Sequence, residues 1–323
     1  MKQAFLLPEF SGEETVLPKA VNVASVPQRS LFRYPGGKTW FVPCFRRWIK
    51  TLAAKPRCLV EPFAGGGIIS LTALFENLVD RVLMVELDEQ VAAVWQAIVD
   101  GDSEWLAKRI IEFDITRESV LAEIQTLRHS TRELAFQTIL RNRTLHGGIL
   151  AEGSRFVNYG ENGKGIRSRW YPQTLAARLR NLSFVRSRID FLRVDGLEVL
   201  SENADRSDAI FFIDPPYTAG GKRAGHRLYR CFELDHERLF QICESLRGDF
   251  LMTYDNAEEV KAMARKHRFD MKLVPMKNTH HAEMTELLIG RNLDWLEETP
   301  SLRETSHPYR VRKRSGHDHK TPA

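Results

Sequence analysis

The sequence lacks the residue patterns that stabilise disulfide-rich or metal-binding proteins. Its few cysteines form no CxxC pair and stand at no metal-ligand spacing from the histidines. They are Cys44, Cys58, Cys231 and Cys243. The adjacent His280 and His281 have no cysteine or acidic ligand at the usual spacing, so we interpret them as polar loop residues. We therefore predict no metal site, and structural thiols in a reducing cytoplasm.

Long apolar runs are also absent. No run approaches the roughly 18 residues that a membrane span requires. The first residues contain no basic segment followed by an apolar one, which is the pattern of a secretory signal. We therefore expect a cytoplasmic protein that is neither secreted nor inserted in a membrane.

Short apolar runs, each followed by a helical pattern, recur along the chain. RCLVEPF precedes GIISLTALFENL, and RVLMVEL precedes DEQVAAVWQAIVDG. AIFFIDPPY, DFLMTYDN and MTELLIGRN predict further strands, and AEEVKAMARKH predicts a helix. With 323 residues, 43% of them hydrophobic, the chain can bury a large core. This alternation favours an α/β fold with a doubly wound, mainly parallel, Rossmann-like sheet.

One segment, residues 104–182, interrupts this alternation. Its pattern predicts helix at first and then loop. Between Arg128 and Arg193 there are thirteen Lys or Arg against four Asp or Glu, whereas the whole chain has a net charge of +5. This concentration is typical of a polyanion-binding lobe, although a solvated arginine-rich face explains the charge equally well. The predicted organisation is an arm (1–28), an α/β domain (29–103 and 183–299), the insertion (104–182) and a basic tail (300–323).

A glycine-rich corner follows the first predicted strand, in EPFAGGGIIS. Glycines allow the backbone to turn sharply there, and a helix N-terminus presents free backbone donors to a ligand. Glu86 ends the next apolar run, 21 residues after Gly65, where a carboxylate can accept hydrogen bonds from both ribose hydroxyls. The pattern indicates an adenosine-bearing cofactor but does not separate NAD from S-adenosylmethionine, and a plain tight turn stays an alternative.

A second corner, RYPGGKTW, ends like a phosphate-binding P-loop. That motif needs a glycine five positions before Gly37, and Phe32 stands there instead. We therefore predict no nucleotide triphosphate site. Lys38 could serve a carboxylate, a phosphate or the surface.

The third corner, AIFFIDPPYTAGG, breaks an apolar strand with Asp214, Pro215, Pro216 and Tyr217. An amine conjugated to an aromatic ring is a poor nucleophile, so it must be oriented while its hydrogens are accepted. A carboxylate and a backbone carbonyl can do both, and the prolines remove competing backbone donors. The tyrosine ring can stack on a planar base, a contact worth about 1 to 3 kcal/mol. The corner therefore predicts planar-amine chemistry, with a rigid capped turn as the alternative.

Taken together, these blocks resemble the Dam-like adenine-specific DNA methyltransferases, which use S-adenosylmethionine. The resemblance covers roughly residues 30–295 and keeps the family's order: YPGGK, EPFAGGG, an acidic residue at the second strand, a variable DNA-binding insertion and DPPY. It implies a target adenine flipped out of duplex DNA. Asp214 and the Pro215 carbonyl would accept hydrogens from its exocyclic amine, Tyr217 would stack on the ring, and the amine would attack the sulfonium methyl in line.

The resemblance also implies a set of cofactor-binding residues. Tyr34 and Lys38, with the Gly36–Gly37 turn, would lie beside the methionine end of the cofactor. Asp195 fits the adenine contact better than Asp190, because it follows an apolar residue and precedes the helix-like GLEVL. The complete set is Tyr34, Gly37, Lys38, Glu61, Phe63, Ala64, Gly65, Gly67, Glu86, Asp195 and Asp214.

Basic residues of the insertion and of the glycine-containing loop after Tyr217 are the predicted DNA contacts. They are Arg141, Arg143, Arg155, Lys164, Arg167, Arg169, Lys222, Arg223 and Arg227. ILRNRTLHGG looks like the family's Asn-x-Arg segment, with Asn142 and Arg143 displaced by about a residue from its frame. The expected partners are double-stranded DNA and a cognate restriction endonuclease, in a bacterial or phage-encoded system. We expect a monomer.

Three alternatives stay open on the residues alone. The same fold could methylate RNA adenine, cytosine or a protein glutamine, although an aspartate in the third corner favours adenine. A catalytically silent nucleic-acid-binding module would not need the cofactor loop, Glu86 and the third corner together. An NAD-dependent dehydrogenase would leave the Asp-Pro-Pro-Tyr corner without a role.

Overall fold

The computed structural model describes residues 25–33, 36–151, 153–160, 163–217, 233–277 and 283–297. Its centre is a seven-stranded sheet in the order β3-β2-β1-β4-β5-β7-β6. The strands are β1 (Cys58–Glu61), β2 (Arg81–Val85), β3 (Ile189–Leu192), β4 (Ala209–Ile213), β5 (Phe250–Asp255), β6 (Asp270–Lys277) and β7 (Glu283–Gly290). Neighbours from β3 to β5 pair in parallel, whereas β7 pairs antiparallel with both β5 and β6. This topology confirms the predicted doubly wound, mainly parallel sheet.

Helices flank the sheet between the strands. They are α1 (Val42–Thr51), α2 (Ile68–Phe75), α3 (Glu89–Asp100), α4 (Ser103–Glu112), α5 (Arg117–Gln125), α6 (Thr131–Thr144), α7 (Pro172–Ser183), α8 (Gly196–Glu202), α9 (His236–Ser245) and α10 (Glu258–Lys266). None of the helices in the described ranges is both long enough and apolar enough to cross a membrane.

Buried strands divide the core between the two faces of the sheet. All five residues of β4 are buried, and their side chains alternate between the faces. Phe212 belongs to a hydrophobic cluster with α1, α2 and α3, and Phe211 belongs to a second cluster with α9 and α10. A strand buried on both faces must be apolar throughout, which explains the uninterrupted AIFF run.

The sequence pattern missed two strands, β3 and β6, which are the two edges of the sheet. Edge strands are covered less completely, so their sequences need not be continuously apolar. In β3 only the first residue is buried, and β6 contains Pro275 and Lys272. The pattern also missed α7, within the part of the insertion that reads as loop.

The insertion packs directly on the sheet's helices. Helix α3 contacts both α6 and α7, and α4 contacts α7 within the insertion. Apolar residues of α6 and α7 lie in the same hydrophobic cluster as those of α1 and α2. The described end of the predicted arm joins this core as well, since Val26 is 2% exposed.

Candidate active site

The predicted site residues come together at the carboxyl ends of the parallel strands. Glu61 ends β1, Glu86 follows β2, Asp195 follows β3 and Asp214 follows β4. In open parallel sheets this edge forms the ligand crevice, because the loops leaving neighbouring strands meet there. Strand β1 lies between β2 and β4, so its loop separates Glu86 from Asp214.

Glu61 anchors the first turn of α2. Its carboxylate accepts a hydrogen bond from the Ser70 backbone N–H at 3.1 Å and another from the Ser70 hydroxyl. Glu61 is buried, and burial raises its pKa to about 8. The sequence placed Glu61 at the cofactor, and in the structure its side chain supports the loop that would hold the cofactor.

The glycine loop between β1 and α2 is shaped by packing on α3. Gly67 has φ 63°, and a Cβ added there would lie 2.6 Å from the Met84 methyl and 2.8 Å from the Trp95 ring. The indole N–H of Trp95 donates to the Gly65 carbonyl at 2.9 Å. Gly67 is therefore required because its φ is positive and because Trp95 and Met84 occupy the space where a side chain would stand.

Glu86 joins the same loop to the start of α3. One carboxylate oxygen accepts from the Gly65 N–H at 3.0 Å and the other from the Asp88 N–H at 2.9 Å. Burial raises the pKa of Glu86 to about 7. An ionised carboxylate offers about four acceptor positions, so Glu86 can still accept from a ribose hydroxyl.

Asp195 stands at the other side of the crevice, where it caps α8. Its carboxylate accepts from the Leu197 N–H at 2.7 Å, and its side chain is exposed. The next residue, Gly196, lies so close to the Pro62 carbonyl that no Cβ would fit, which brings this corner against the β1 loop. Asp190, the alternative, lies within β3 and forms an ion pair with Arg81 at 2.6 Å.

Three large apolar side chains stay exposed beside these carboxylates, at the ends of β2 and β3. They are Leu87, Leu192 and Val194. An adenosine group presents a flat ring, an amine and two ribose hydroxyls. The apolar side chains fit the ring, one carboxylate fits the amine, and the second carboxylate fits the hydroxyls.

Asp214 is the centre of a polar cluster at the end of β4. Its Oδ1 accepts from the Tyr217 hydroxyl at 2.9 Å and from the Thr253 hydroxyl at 2.8 Å. The Lys38 ammonium lies 2.9 Å from the same oxygen. Lys38 is 3% exposed and also donates to the Gly36 carbonyl at 2.9 Å. The sequence placed Lys38 near the methionine end of the cofactor, and the structure places its ammonium at the third corner.

The sequence did not predict that Glu286, on β7, belongs to this cluster. Its Oε2 lies 3.0 Å from the Tyr217 hydroxyl and 3.3 Å from the Lys38 ammonium. Burial raises the pKa of Glu286, while the nearby lysine lowers it. The available signal was a carboxylate inside the apolar strand TELLIG, since a buried charge requires a partner.

Tyr217 connects the two carboxylates through its hydroxyl. Its ring stacks on Tyr254 at 5.7 Å between centroids, and the Lys38 ammonium lies 5.0 Å from its centroid. Burial, and then the negative charges of Asp214 and Glu286, hold the pKa of Tyr217 well above its usual range. Of the prolines, Pro215 is buried and Pro216 is half-buried. Stacking of a base on Tyr217 stays a prediction.

The structure corrects the predicted DNA contact at Arg143, which lies inside the protein. Arg143 is 6% exposed, and its guanidinium donates to the Leu31 carbonyl. Burial lowers its pKa to about 9. The preceding Asn142 accepts from the Arg33 N–H at 2.9 Å and donates to the Arg33 carbonyl at 3.0 Å. Both side chains therefore fasten the insertion to the chain that leads into the YPGGK corner.

Other arginines of the insertion have structural partners too. Arg178 donates to the Ser30 carbonyl at 2.7 Å, and Arg180 pairs with Glu104 at 2.8 Å. Just after the insertion, Arg188 donates to the Asp80 carbonyl at 2.7 Å. The charge count of the sequence therefore overstates the number of cations available to DNA.

Five predicted DNA contacts in the insertion keep some exposure. Arg155, Lys164 and Arg167 are exposed, and Arg141 and Arg169 are half-buried. Lys164 and Arg167 line a cavity of about 360 Å³ against the loop between α4 and α5. Several predicted residues lie outside the described ranges: Tyr34, Lys222, Arg223 and Arg227, together with Cys231, His280 and His281. Among the residues that are described, no group of side chains could hold a metal ion.

Comparison with known proteins identifies the family. The model of the D12 class N6 adenine-specific DNA methyltransferases matches residues 34–279, about three quarters of the chain. No curated protein matches significantly. Among solved structures, a methyltransferase from Geobacter sulfurreducens is similar at 13% identity, with 78% of this chain and 77% of that one covered and a TM-score of 0.34.

Another similar structure is precorrin-6y C5,15-methyltransferase from Geobacter metallireducens. It shares 10% identity over 76% of this chain and 85% of that one, with a TM-score of 0.33. The family match includes the YPGGK, EPFAGGG and DPPY corners, the insertion and the four carboxylates at the strand ends. The chain therefore belongs to the D12 class of N6 adenine-specific DNA methyltransferases, enzymes that use S-adenosylmethionine.

Proposed function

We propose that this site methylates the 6-amino group of an adenine flipped out of duplex DNA, with Asp214 as the residue that receives the amine. The observation that carries the proposal is the pairing of β4 with β1. This pairing sets the Asp214 carboxylate beside the glycine loop, so an amine acceptor and the predicted cofactor loop leave adjacent strands. Methyl transfer requires donor and acceptor in line and in contact, and this arrangement supplies both sides of that contact.

The crevice residues would hold the cofactor by its adenosine. Glu86 would bind the ribose hydroxyls, Asp195 the adenine amine, and the exposed Leu87 and Leu192 the faces of the ring. When bound, S-adenosylmethionine supplies an electrophilic methyl group on its sulfonium. The backbone of Ala64 and Gly65 would lie beside the remainder of the cofactor, with Phe63 completing the loop.

Asp214 and the Pro215 carbonyl would orient the amine of the target base. Each accepts one amine hydrogen, so that the nitrogen lone pair is directed at the methyl group. The Lys38 ammonium lies 2.9 Å from the same carboxylate. Tyr217 would provide the aromatic face for the flipped base.

We propose that the insertion, residues 104–182, is the target-recognition domain. The exposed Arg155, Lys164 and Arg167 support this role, since sequence-independent affinity for DNA comes from cations that reach phosphates. Lys222, Arg223 and Arg227 are proposed to contribute from the other side of the corner. We also propose that the protein is a monomer that acts in the cytoplasm together with a cognate restriction endonuclease. Gel filtration tests the monomeric state.

A labelling experiment tests the function. The protein is incubated with unmethylated duplex DNA and S-adenosylmethionine labelled in its methyl group, and the DNA is digested to nucleosides. We expect the label in N6-methyl-2′-deoxyadenosine. Label in cytosine, in RNA or in protein would contradict the assigned substrate, and the absence of label from all of them would contradict the proposed activity.

A further inference from the structure

Three hydrogen-bond donors surround one oxygen of the Asp214 carboxylate, where they would compete with a substrate amine. A single oxygen, Oδ1, is approached by the Tyr217 hydroxyl at 2.9 Å, the Thr253 hydroxyl at 2.8 Å and the Lys38 ammonium at 2.9 Å. A carboxylate oxygen offers about two acceptor positions. If the adenine amine binds this oxygen, room remains for about one of the three present donors, so the other two must leave it.

Losing a counter-ion is costly for a buried cation. Lys38 is 3% exposed, so a displaced ammonium would have no water to receive it. An uncompensated buried charge strongly destabilises a protein. The same holds, more weakly, for the Tyr217 hydroxyl.

Glu286 is placed to receive both donors. Its Oε2 lies 3.3 Å from the Lys38 ammonium and 3.0 Å from the Tyr217 hydroxyl, the two groups that also bind Asp214. It is anchored in β7, between β5 and β6, and lies beyond residues 34–279 that match the family model. Thr253, the third donor, lies on β5.

We propose that Glu286 is a positioning residue for methyl transfer: it takes over Lys38 and the Tyr217 hydroxyl when the adenine amine binds Asp214. The inference rests on the proposed function and adds to it a residue and a proton path. In the step itself, the lone pair of the amine nitrogen forms the N–CH₃ bond while the S–CH₃ electrons return to sulfur. One proton of the now cationic nitrogen then passes to Asp214, which is free to accept it because Glu286 has received the competing donors.

The charged surroundings of Glu286 give the inference a pH signature. Lys38, Asp214 and Tyr217 face its carboxylate, and Asp255 stands opposite it on β5, with the apolar Val274 opposite on β6. Only the ionised form can hold the lysine. Burial raises the pKa of Glu286, so this ability is present above the raised pKa and is lost as the pH falls through it. The rate of transfer should fall over the same interval.

Single-turnover transfer at saturating DNA and labelled S-adenosylmethionine tests the inference. Glu286→Gln should slow transfer by roughly 10- to 100-fold, the loss of one hydrogen bond to a charged group. Its affinity for S-adenosylmethionine should stay within about threefold of the wild type, and the acid limb of the pH profile attributed to Glu286 should disappear. Glu297→Gln is the matched control, since Glu297 is an exposed carboxylate that pairs with Lys272; it should transfer at the wild-type rate.

A double-mutant cycle separates positioning from general damage. In a Lys38→Met background, Glu286→Gln should cost much less than in the wild type, because the ammonium that Glu286 receives is gone. Equal costs in both backgrounds, an unchanged rate for Glu286→Gln, or an unchanged acid limb would overturn the inference. Should Glu286→Gln not fold, the wild-type profile decides, since a rate that is flat through the carboxylate range also overturns it. A wild-type protein that labels no DNA adenine would contradict the proposed function as well.

Discussion

Asp214→Asn is the substitution with the most informative expected outcome, because the amide keeps the shape of the side chain and removes its charge. In the protein, Asp214 binds one buried cation and two hydroxyls through the same oxygen. The asparagine oxygen can still accept a hydrogen bond, but it cannot take up a proton, and the loss of a positioned base lowers rates by about 10²- to 10⁴-fold. We expect a fall of at least about 100-fold in single-turnover methyl transfer.

The stability cost of this change should be moderate. An unpaired buried lysine would cost about 3 to 5 kcal/mol, but Lys38 keeps Glu286 at 3.3 Å as a second counter-ion. We therefore expect about 1 to 2 kcal/mol, the usual range for a hydrogen bond exchanged for a weaker one. Urea unfolding measures this free energy, and equilibrium dialysis with labelled S-adenosylmethionine should show nearly normal cofactor binding.

Asp208→Asn is the matched control for this experiment. Asp208 stands immediately before the same strand, at its opposite end, and pairs with Arg206 at the surface at 3.1 Å. Its replacement should leave transfer unchanged. An Asp214→Asn protein that transfers methyl groups at the wild-type rate would refute the role assigned to the third corner, and one that no longer binds the cofactor would show that the corner belongs to the cofactor site instead.

Three further predictions concern the loop, its buried acid and the insertion. Gly67→Ala should lower the free energy of unfolding by about 1 to 3 kcal/mol, because its φ is 63° and the new Cβ would lie 2.6 Å from a neighbouring methyl group; unchanged urea unfolding would contradict this. The pKa of Glu61 is raised by burial to about 8, so its contribution to stability is fully present below its unfolded pKa and is lost as the pH rises through 8. Glu61→Gln should remove that loss, which falls between about pH 4.5 and 8, in urea titrations, and a parallel pH dependence in both proteins would argue against it. Reversing the charges of Arg167 and Arg169 should weaken DNA binding and make its salt dependence shallower, whereas unchanged binding isotherms would mean that the insertion is not the DNA lobe.

Much of the fold could be predicted because its strands are covered on both faces. Complete burial requires continuous apolar runs, which is why β1, β2, β4 and β5 are visible in the sequence. The edge strands β3 and β6 are covered less, so their residues mix polar and apolar types and no strand pattern survives. The start of α8 could be predicted too, because a capping aspartate before GLEVL is a local signal and Asp195 caps it.

The site could be predicted only where its residues follow a strand end directly. Glu61, Glu86, Asp195 and Asp214 are placed at the crevice by strand-end topology, which the alternation of strands and helices already implies. Their detailed partners could not be predicted. Glu86, for example, uses both oxygens on backbone N–H groups of the protein itself.

The sequence by itself determined the family, the sheet and the carboxylates at its edge, since these depend on short stretches and local periodicity. Only the tertiary structure decided which charges are paired. Glu286 meets Tyr217 from 69 residues away, because β7 inserts antiparallel beside β5. Arg143 donates to a buried carbonyl 112 residues away and is therefore not available to bind DNA. Charges separated this far along the chain interact only once the strands and helices have packed, so neither spacing nor composition reveals them.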